Sequence, residues 1–150
     1  MTVEHIGDAE TIEEHLDEFF QQHVERWKGT DSPSLFLDVK QREFYRRLSV
    51  VATDAGWLRF TRVVWNDRAV AAHFGFNYRR KFLWYKPTFA IDLAKKSPGE
   101  VLLRNLLLRA MSEGCDAFDF GLGNEAFKSR FATQVNYVRT WGLYPMKEIG

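Results

Sequence analysis

The chain contains a single cysteine, Cys115, so no internal disulfide can stabilise the fold. One cysteine and four scattered histidines also give no metal-ligand spacing. We therefore expect no metal cofactor, and a reducing compartment such as the cytoplasm.

The chain also lacks a charge excess and a long apolar run. Its 21 Lys and Arg residues oppose 20 Asp and Glu residues, which argues against DNA as a partner. No apolar run approaches the roughly 20 residues of a transmembrane helix, and no signal peptide is recognisable. The basic residues are unevenly spread: none precedes Arg26, whereas Arg79–Lys81, Lys95 and Lys96 cluster later.

What the chain does contain is apolar and aromatic side chains, at 45% and 15% of its residues. A chain of this length buries roughly 70% of its unfolded surface, which is enough for a well-packed core. We expect residues 1–150 to form a single domain, without repeats or linkers.

Hydrophobic periodicity and turn residues predict the order of the elements. A helix over residues 11–27 and a second from Asp38 to Gly56 precede three alternating strands at 57–65, 70–78 and 82–89. A helix from Pro98 to Gly114, a strand at 117–121, a short helix near 125–131 and a last strand near 136–144 follow. No strand is evident before the first helix.

The helix that starts at Pro98 has the features of an anion-binding site. Ser97 and Glu100 fit a capping box, and Pro98 suits the first helical position. Gly99 is unfavourable in a helix, but it leaves room for a ligand to approach the backbone amides. Lys95 and Lys96 add positive charge, whereas the Glu100 carboxylate would oppose an anion. A well-capped core helix explains every residue here except Gly99.

Pro87 marks a possible crevice, because proline cannot donate a hydrogen bond within a sheet. If the strand at Ala117 lies beside the strand at 82–89, the two would part near Pro87. The resulting slot would point towards Ser97. The alternative is that Pro87 simply marks an edge strand.

The order of these elements, with several short motifs, resembles the GNAT acyltransferase fold. More narrowly, the sequence resembles the FemAB-like branch and its CelD/BcsL-like acetyltransferase domain. The likeness covers roughly residues 12–144. Its motifs are His23–Trp27, Gly56–Arg59, Ser97–Gly99, and Phe118–Gly121 followed by Phe127-Lys128 and Phe131.

The resemblance implies an α+β, three-layer GNAT-like fold, in which helices flank a central, mostly antiparallel sheet with splayed strands. It implies transfer of an acyl group from acetyl-CoA or another acyl-CoA to an amine, without a metal or a covalent intermediate. The amine would belong to a small molecule, a glycan or a peptide, and the implied context is polysaccharide or cell-envelope metabolism. Many relatives carry two such units, so the chain is a fragment, a stand-alone half or one subunit of a homodimer.

Candidate site residues follow from the motifs and from the chemistry of amine acylation. The pyrophosphate-binding candidates are Lys95, Lys96, Ser97, Gly99, Glu100 and Val101. The catalytic candidates are Asp119, Lys128, His73 and Glu125, with Lys128 facing an anionic acceptor or the developing oxyanion. The acceptor-binding candidates are His23, Arg26, Trp27 and Tyr85. His23 is a further candidate base, and Tyr85 and Tyr137 are possible proton donors to the thiolate.

Each candidate also has a structural explanation. His23 fits a hydrogen-bonded core histidine, Asp119 a cap on the Gly121 turn, and Lys128 an ion pair with Glu125. Two alternative functions therefore remain: an aminoacyltransferase that uses charged tRNA, and a catalytically silent GNAT-like binding module.

Overall fold

The computed structural model describes residues 1–143, which fold around a five-stranded sheet with strand order β1-β2-β3-β4-β5. The strands are β1 (Thr2–Ile6), β2 (Leu58–Trp65), β3 (Arg68–Tyr78), β4 (Lys81–Phe89) and β5 (Ala117–Asp119). The helices are α1 (Ala9–Trp27), α2 (Val39–Asp54) and α3 (Pro98–Ser112). Short 3₁₀ helices lie at Leu35–Leu37, Ile91–Lys96 and Lys128–Arg130. The first four strands pair antiparallel and β5 pairs parallel to β4, so the predicted mostly antiparallel α+β fold is confirmed.

The helices form two outer layers. On one face, α1 and α2 enclose an aromatic cluster in which Phe19, Phe36, Phe60 and Phe74 are at most 2% exposed. On the other face, Leu102, Leu103 and Leu106 of α3 pack over the sheet. Burying one such side chain contributes about 1.5–3 kcal/mol to stability, so the packing on each face anchors its helices to the sheet. The three-layer prediction is therefore correct.

The β1 strand was not expected from the sequence. Its five residues pair with β2 from Thr2↔Val64 to Ile6↔Phe60, and only Ile6 is buried. A partner almost sixty residues away supplies the hydrogen bonds, so local patterning gave little signal. The first helix also starts earlier than predicted, because the Asp8 side chain accepts the Thr11 N–H at 2.8 Å.

The C-terminal predictions were partly wrong. The expected helix near 125–131 is only the 3₁₀ turn Lys128–Arg130, and β5 stops at Asp119. Residues 136–143 contain no regular strand, and residue 144 lies outside the described residues. Regular structure at 136–143 would need a neighbour to pair with, and these residues are exposed.

A β-bulge interrupts the pairing of β3 with β4. Phe74 is opposite Lys86 and Phe76 is opposite Leu83, so two residues of β4, Trp84 and Tyr85, face the single residue Gly75. A Cβ built on Gly75 would overlap the His73 imidazole and the Leu83 carbonyl oxygen. The bulge therefore requires glycine at this position.

We predict that Gly75→Ala destabilises the protein by about 1–3 kcal/mol, the usual cost of overpacking a core. Chemical denaturation followed by far-UV circular dichroism measures the change. Gly7→Ala is the matched control, because a Cβ on Gly7 would have no atom within 4 Å. Equal stability of the two variants would contradict the proposed packing at the bulge.

Candidate functional site

The candidate site lies where β4 and β5 cease to pair. The two strands pair only at Lys81↔Ala117, Phe82↔Phe118 and Leu83↔Asp119. The pairing thus ends four residues before Pro87, and from Trp84 onward β4 has no strand partner among residues 1–143 on the β5 side. Parting of strands leaves backbone groups of β4 available to an extended ligand.

The start of α3 differs from the predicted capping box. Ser97 adopts the left-handed conformation, with φ 52° and ψ 44°, and its side chain makes no capping hydrogen bond. The 3₁₀ helix Ile91–Lys96 runs directly into this position, which leaves no extended residue of the kind that normally caps a helix. The Ser97 backbone carbonyl instead accepts the N–H groups of Glu100, at 3.0 Å, and Val101, at 3.2 Å.

These bonds change which groups can meet an anion. The Gly99 N–H has no acceptor among residues 1–143, whereas the Glu100 and Val101 amides are already engaged. Lys95 and Lys96 are exposed and form no ion pair within the described chain. Glu100 is paired with Arg130 at 3.1 Å, which offsets its negative charge.

Gly99 also has a packing reason that the sequence did not reveal. A Cβ at this position would lie 3.3 Å from the Phe89 ring. The Arg26 guanidinium lies over the same ring, 4.5 Å from its centroid. Phe89 therefore connects the end of α1 to the start of α3 and brings Arg26 near the predicted anion site.

The motif after β5 holds its own loop together. Asp119 Oδ1 accepts the Gly121 N–H at 2.8 Å, as its structural explanation anticipated. The Lys128 ammonium donates to the Leu122 carbonyl at 2.6 Å and contacts Glu125 Oε2 at 2.7 Å. Lys128 is only 9% exposed, so its charge serves this loop rather than an open acceptor site.

Two predicted histidines are buried and neutral. Burial, with the nearby Lys86 and Arg26 charges, lowers the pKa of His23 to about 4, and its Nδ1 lies 2.8 Å from Ser34 Oγ. Burial lowers the pKa of His73 to about 3. A base with so low a pKa accepts protons poorly at neutral pH, so the structure argues against His23 and His73 as general bases.

The two remaining acceptor candidates lie at different places. Tyr85 is 41% exposed on β4, where its hydroxyl accepts a 2.9 Å hydrogen bond from Tyr45. Trp27 lies at the end of α1, beside Arg26 and His23. The structure thus groups His23, Arg26 and Trp27 together, and it places Tyr85 on the bulge of β4. Tyr137 is 86% exposed and is outside both groups.

Sequence reasoning missed two polar features. Tyr45 is 2% exposed and was not among the residues that the sequence singled out. Glu113 accepts hydrogen bonds from Arg59, Arg109 and Asn77. Partial burial acts to raise the pKa of Glu113, but these hydrogen bonds outweigh burial and hold the pKa below its usual value. The four-residue spacing of Arg109 and Glu113 was the available signal for this cluster.

The described residues contain neither a metal site nor a membrane segment. No group of three or more His, Cys, Asp or Glu side chains among residues 1–143 could hold a metal ion. Within the same range, every helix is too short or too polar to span a bilayer.

We predict that Lys128→Ala weakens the loop after β5 rather than a chemical step. The Leu122 and Gly123 carbonyls would lose their donor, at a cost of about 1–3 kcal/mol. Hydrogen exchange should accelerate at the Phe131 and Ala132 amides, which bond to the Lys128 carbonyl. Lys81→Ala, at an exposed position, is the control. Unchanged exchange together with a large loss of turnover would assign Lys128 to the chemistry instead.

Comparisons with known proteins agree with this arrangement. Residues 1–129 match the family described as "Acetyltransferase (GNAT) domain". A search of curated protein sequences gives no significant match.

Solved structures share the fold at low sequence identity. A probable acetyltransferase is 12% identical, with a TM-score of 0.63 over 99% of this chain and 100% of the other. AAC(6')-Iy, bound to a bisubstrate analog CoA-S-monomethyl-acetylneamine, is 8% identical, with a TM-score of 0.66 over 96% and 98% of the two chains. The aminoglycoside 6'-N-acetyltransferase AAC(6')-IG from Acinetobacter haemolyticus is 13% identical, with a TM-score of 0.59 over 98% and 100%.

The family match covers most of the chain, and the folds agree over nearly its whole length. The chain therefore belongs to the GNAT acetyltransferase domain family, as an acyltransferase that uses acetyl-CoA as its co-substrate.

Proposed function

We propose that the domain transfers an acetyl group from acetyl-CoA to a primary amine of an amino sugar, within the β4–β5 crevice. We further propose that it belongs to the FemAB-like branch and acts in polysaccharide or cell-envelope metabolism. The observation that carries the proposal is the parting of β4 from β5 after Leu83 and Asp119, beside the start of α3. Amino-sugar chemistry is supported by the aminoglycoside acetyltransferases among the structural neighbours.

The start of α3 would hold the pyrophosphate of acetyl-CoA. The Gly99 N–H, which has no acceptor in the described part of the chain, offers a hydrogen bond at the positive end of the helix dipole. Lys95 and Lys96 supply charge, and Ser97 shapes the backbone at this turn. Glu100, already paired with Arg130, opposes an anion less than an isolated carboxylate would.

The thioester of acetyl-CoA supplies an activated acyl group. The acceptor nitrogen forms the new C–N bond as the C–S bond breaks, and a proton must leave the nitrogen. We assign this role to Asp119, because it is the register partner of Leu83 at the last paired position of β4 and β5. Only its Oδ1 is occupied by the Gly121 N–H, which leaves Oδ2 for a proton.

The acceptor would meet the face of the sheet that carries α1 and α2. Phe76 lies in the core beneath these helices, and its register partner Leu83 is on the same face. Asp119 shares that face through its pairing with Leu83, and Tyr85 contacts the Phe76 ring there. A carboxylate and a half-exposed aromatic ring suit an amine carried on a sugar.

We predict that the double variant Lys95→Ala/Lys96→Ala weakens CoA binding roughly 2- to 30-fold. Each of the two exposed charge pairs that are lost contributes about 0.2–1 kcal/mol. Isothermal titration calorimetry with CoA at two salt concentrations measures the loss. Raised salt should reduce the affinity of the parent protein more than that of the variant. Gly99→Leu should abolish binding, because its side chain would fill the approach to the Gly99 amide. Since a Cβ there also lies 3.3 Å from the Phe89 ring, far-UV circular dichroism checks that this variant is folded.

Lys40→Ala is the control, because this lysine is exposed and lies on α2, across the sheet from α3. Unchanged CoA affinity in both Lys95→Ala/Lys96→Ala and Gly99→Leu would exclude the start of α3 as the pyrophosphate site. If the protein does not bind CoA but binds an aminoacyl-tRNA probe with an affinity that falls steeply as salt is raised, the tRNA-dependent alternative is favoured.

We predict that glucosamine or neamine supports release of CoA thiol from acetyl-CoA faster than spermidine or a lysine-containing peptide. A colorimetric thiol assay and mass spectrometry of the acetylated amine measure the transfer. Asp119→Asn should lower kcat by about 10²–10⁴-fold, the usual contribution of a general base. Preferential acetylation of the peptide would overturn the amino-sugar assignment, and full activity of Asp119→Asn would remove Asp119 as the base.

A further inference from the structure

The bulge of β4 is held from both faces of the sheet by side chains that belong to neighbouring elements. His73 of β3 lies on the α3 face, where it is fully buried and its ring stacks on Trp84 at a centroid distance of 5.2 Å. Tyr45 of α2 lies on the opposite face and contacts Phe74. Both meet Tyr85, one at its backbone and the other at its hydroxyl.

On the α3 face, the His73 ring replaces a missing backbone partner. His73 Nε2 lies 3.2 Å from the Tyr85 nitrogen and accepts its N–H. The ring occupies the space where a side chain at position 75 would project, which is the reason that only glycine fits there. Burial lowers the pKa of His73 to about 3, so the imidazole is neutral and keeps the lone pair that this bond requires.

On the α2 face, Tyr45 orients the Tyr85 hydroxyl. The Tyr45 hydroxyl donates to the Tyr85 oxygen at 2.9 Å, and the two rings are almost parallel. Burial and the hydrogen bond to Tyr85 raise the pKa of Tyr45, so it stays protonated over a wide pH range. Tyr85 therefore retains its own proton for a second partner on its exposed side.

We propose that His73 and Tyr45 are positioning residues that together fix Tyr85, through its backbone N–H and its hydroxyl, as the hydrogen-bond donor to the acceptor substrate. The proposal rests on the acetyltransferase function proposed above. The Lys86 ammonium, 5.0 Å from the Tyr85 ring centroid, restricts that ring further. The bulge places Tyr85 and Lys86 consecutively beside the crevice, where a regular strand would send one of them to the opposite face.

The first test is a double-mutant cycle on Tyr45 and Tyr85. Tyr45→Phe should raise the KM for neamine roughly 2- to 10-fold, the effect of one hydrogen bond, with kcat and CoA affinity little changed. In a Tyr85→Phe background, Tyr45→Phe should have no further effect on KM, because its partner hydroxyl is gone. Tyr78→Phe is the matched control, since Tyr78 is another half-exposed strand tyrosine and packs on Trp57.

The second test concerns His73 and does not depend on turnover. Nitrogen NMR of the histidine side chains at neutral pH should show His73 with its proton on Nδ1 and a bare, hydrogen-bonded Nε2. His73→Leu should raise the KM for neamine, and His73→Gln, whose amide oxygen can accept the Tyr85 N–H, should partly restore it.

The two tests separate this proposal from the function on which it rests. If the parent protein acetylates none of the amines, the proposed function fails, and the NMR measurement still decides the role of His73. A proton on Nε2 would overturn that role. Independent, additive effects of Tyr45→Phe and Tyr85→Phe on KM would overturn the role of Tyr45.

Discussion

The candidate site depends on one irregularity, the two-against-one pairing of Trp84 and Tyr85 with Gly75. Without the bulge, β4 would pair regularly with β3 and would place successive side chains on alternate faces of the sheet. The bulge bends the strand just after its last pairing with β5, at the point where the two strands separate. The His73 ring fills the space over Gly75, so the distortion is built into the packed core on the α3 face.

Some cationic side chains are held in ion pairs with carboxylates of the protein, whereas others are left to interact with a ligand. Arg59, Arg62, Arg68 and Arg109 each pair with a carboxylate in the described chain. Lys95 and Lys96, at the start of α3, do not form such pairs within residues 1–143. The anion site that we propose at this end therefore rests on two features: lysines without a carboxylate partner among residues 1–143, and the helix dipole.

Much of the fold could be predicted because its signals are local. The apolar stripe from Ile12 to Trp27 requires a helix, and Asn66-Asp67 allows the tight turn with positive φ that joins β2 to β3. Signals that depend on distant partners failed. The strand Thr2–Ile6 needs β2 for its hydrogen bonds, and the Ser97 cap failed because the preceding 3₁₀ helix imposes a left-handed backbone.

The sequence by itself determined the order of the elements, the chemistry available at the start of α3 and the likeness to an acyltransferase family, because these follow from periodicity and short motifs. Only the tertiary structure decided which polar groups remain free. It buried His23 and His73, engaged Lys128 within its own loop, and joined Tyr45 to Tyr85 across two elements. Burial and hydrogen bonding depend on what lies opposite a side chain in space, and residue spacing along the chain does not specify that neighbour.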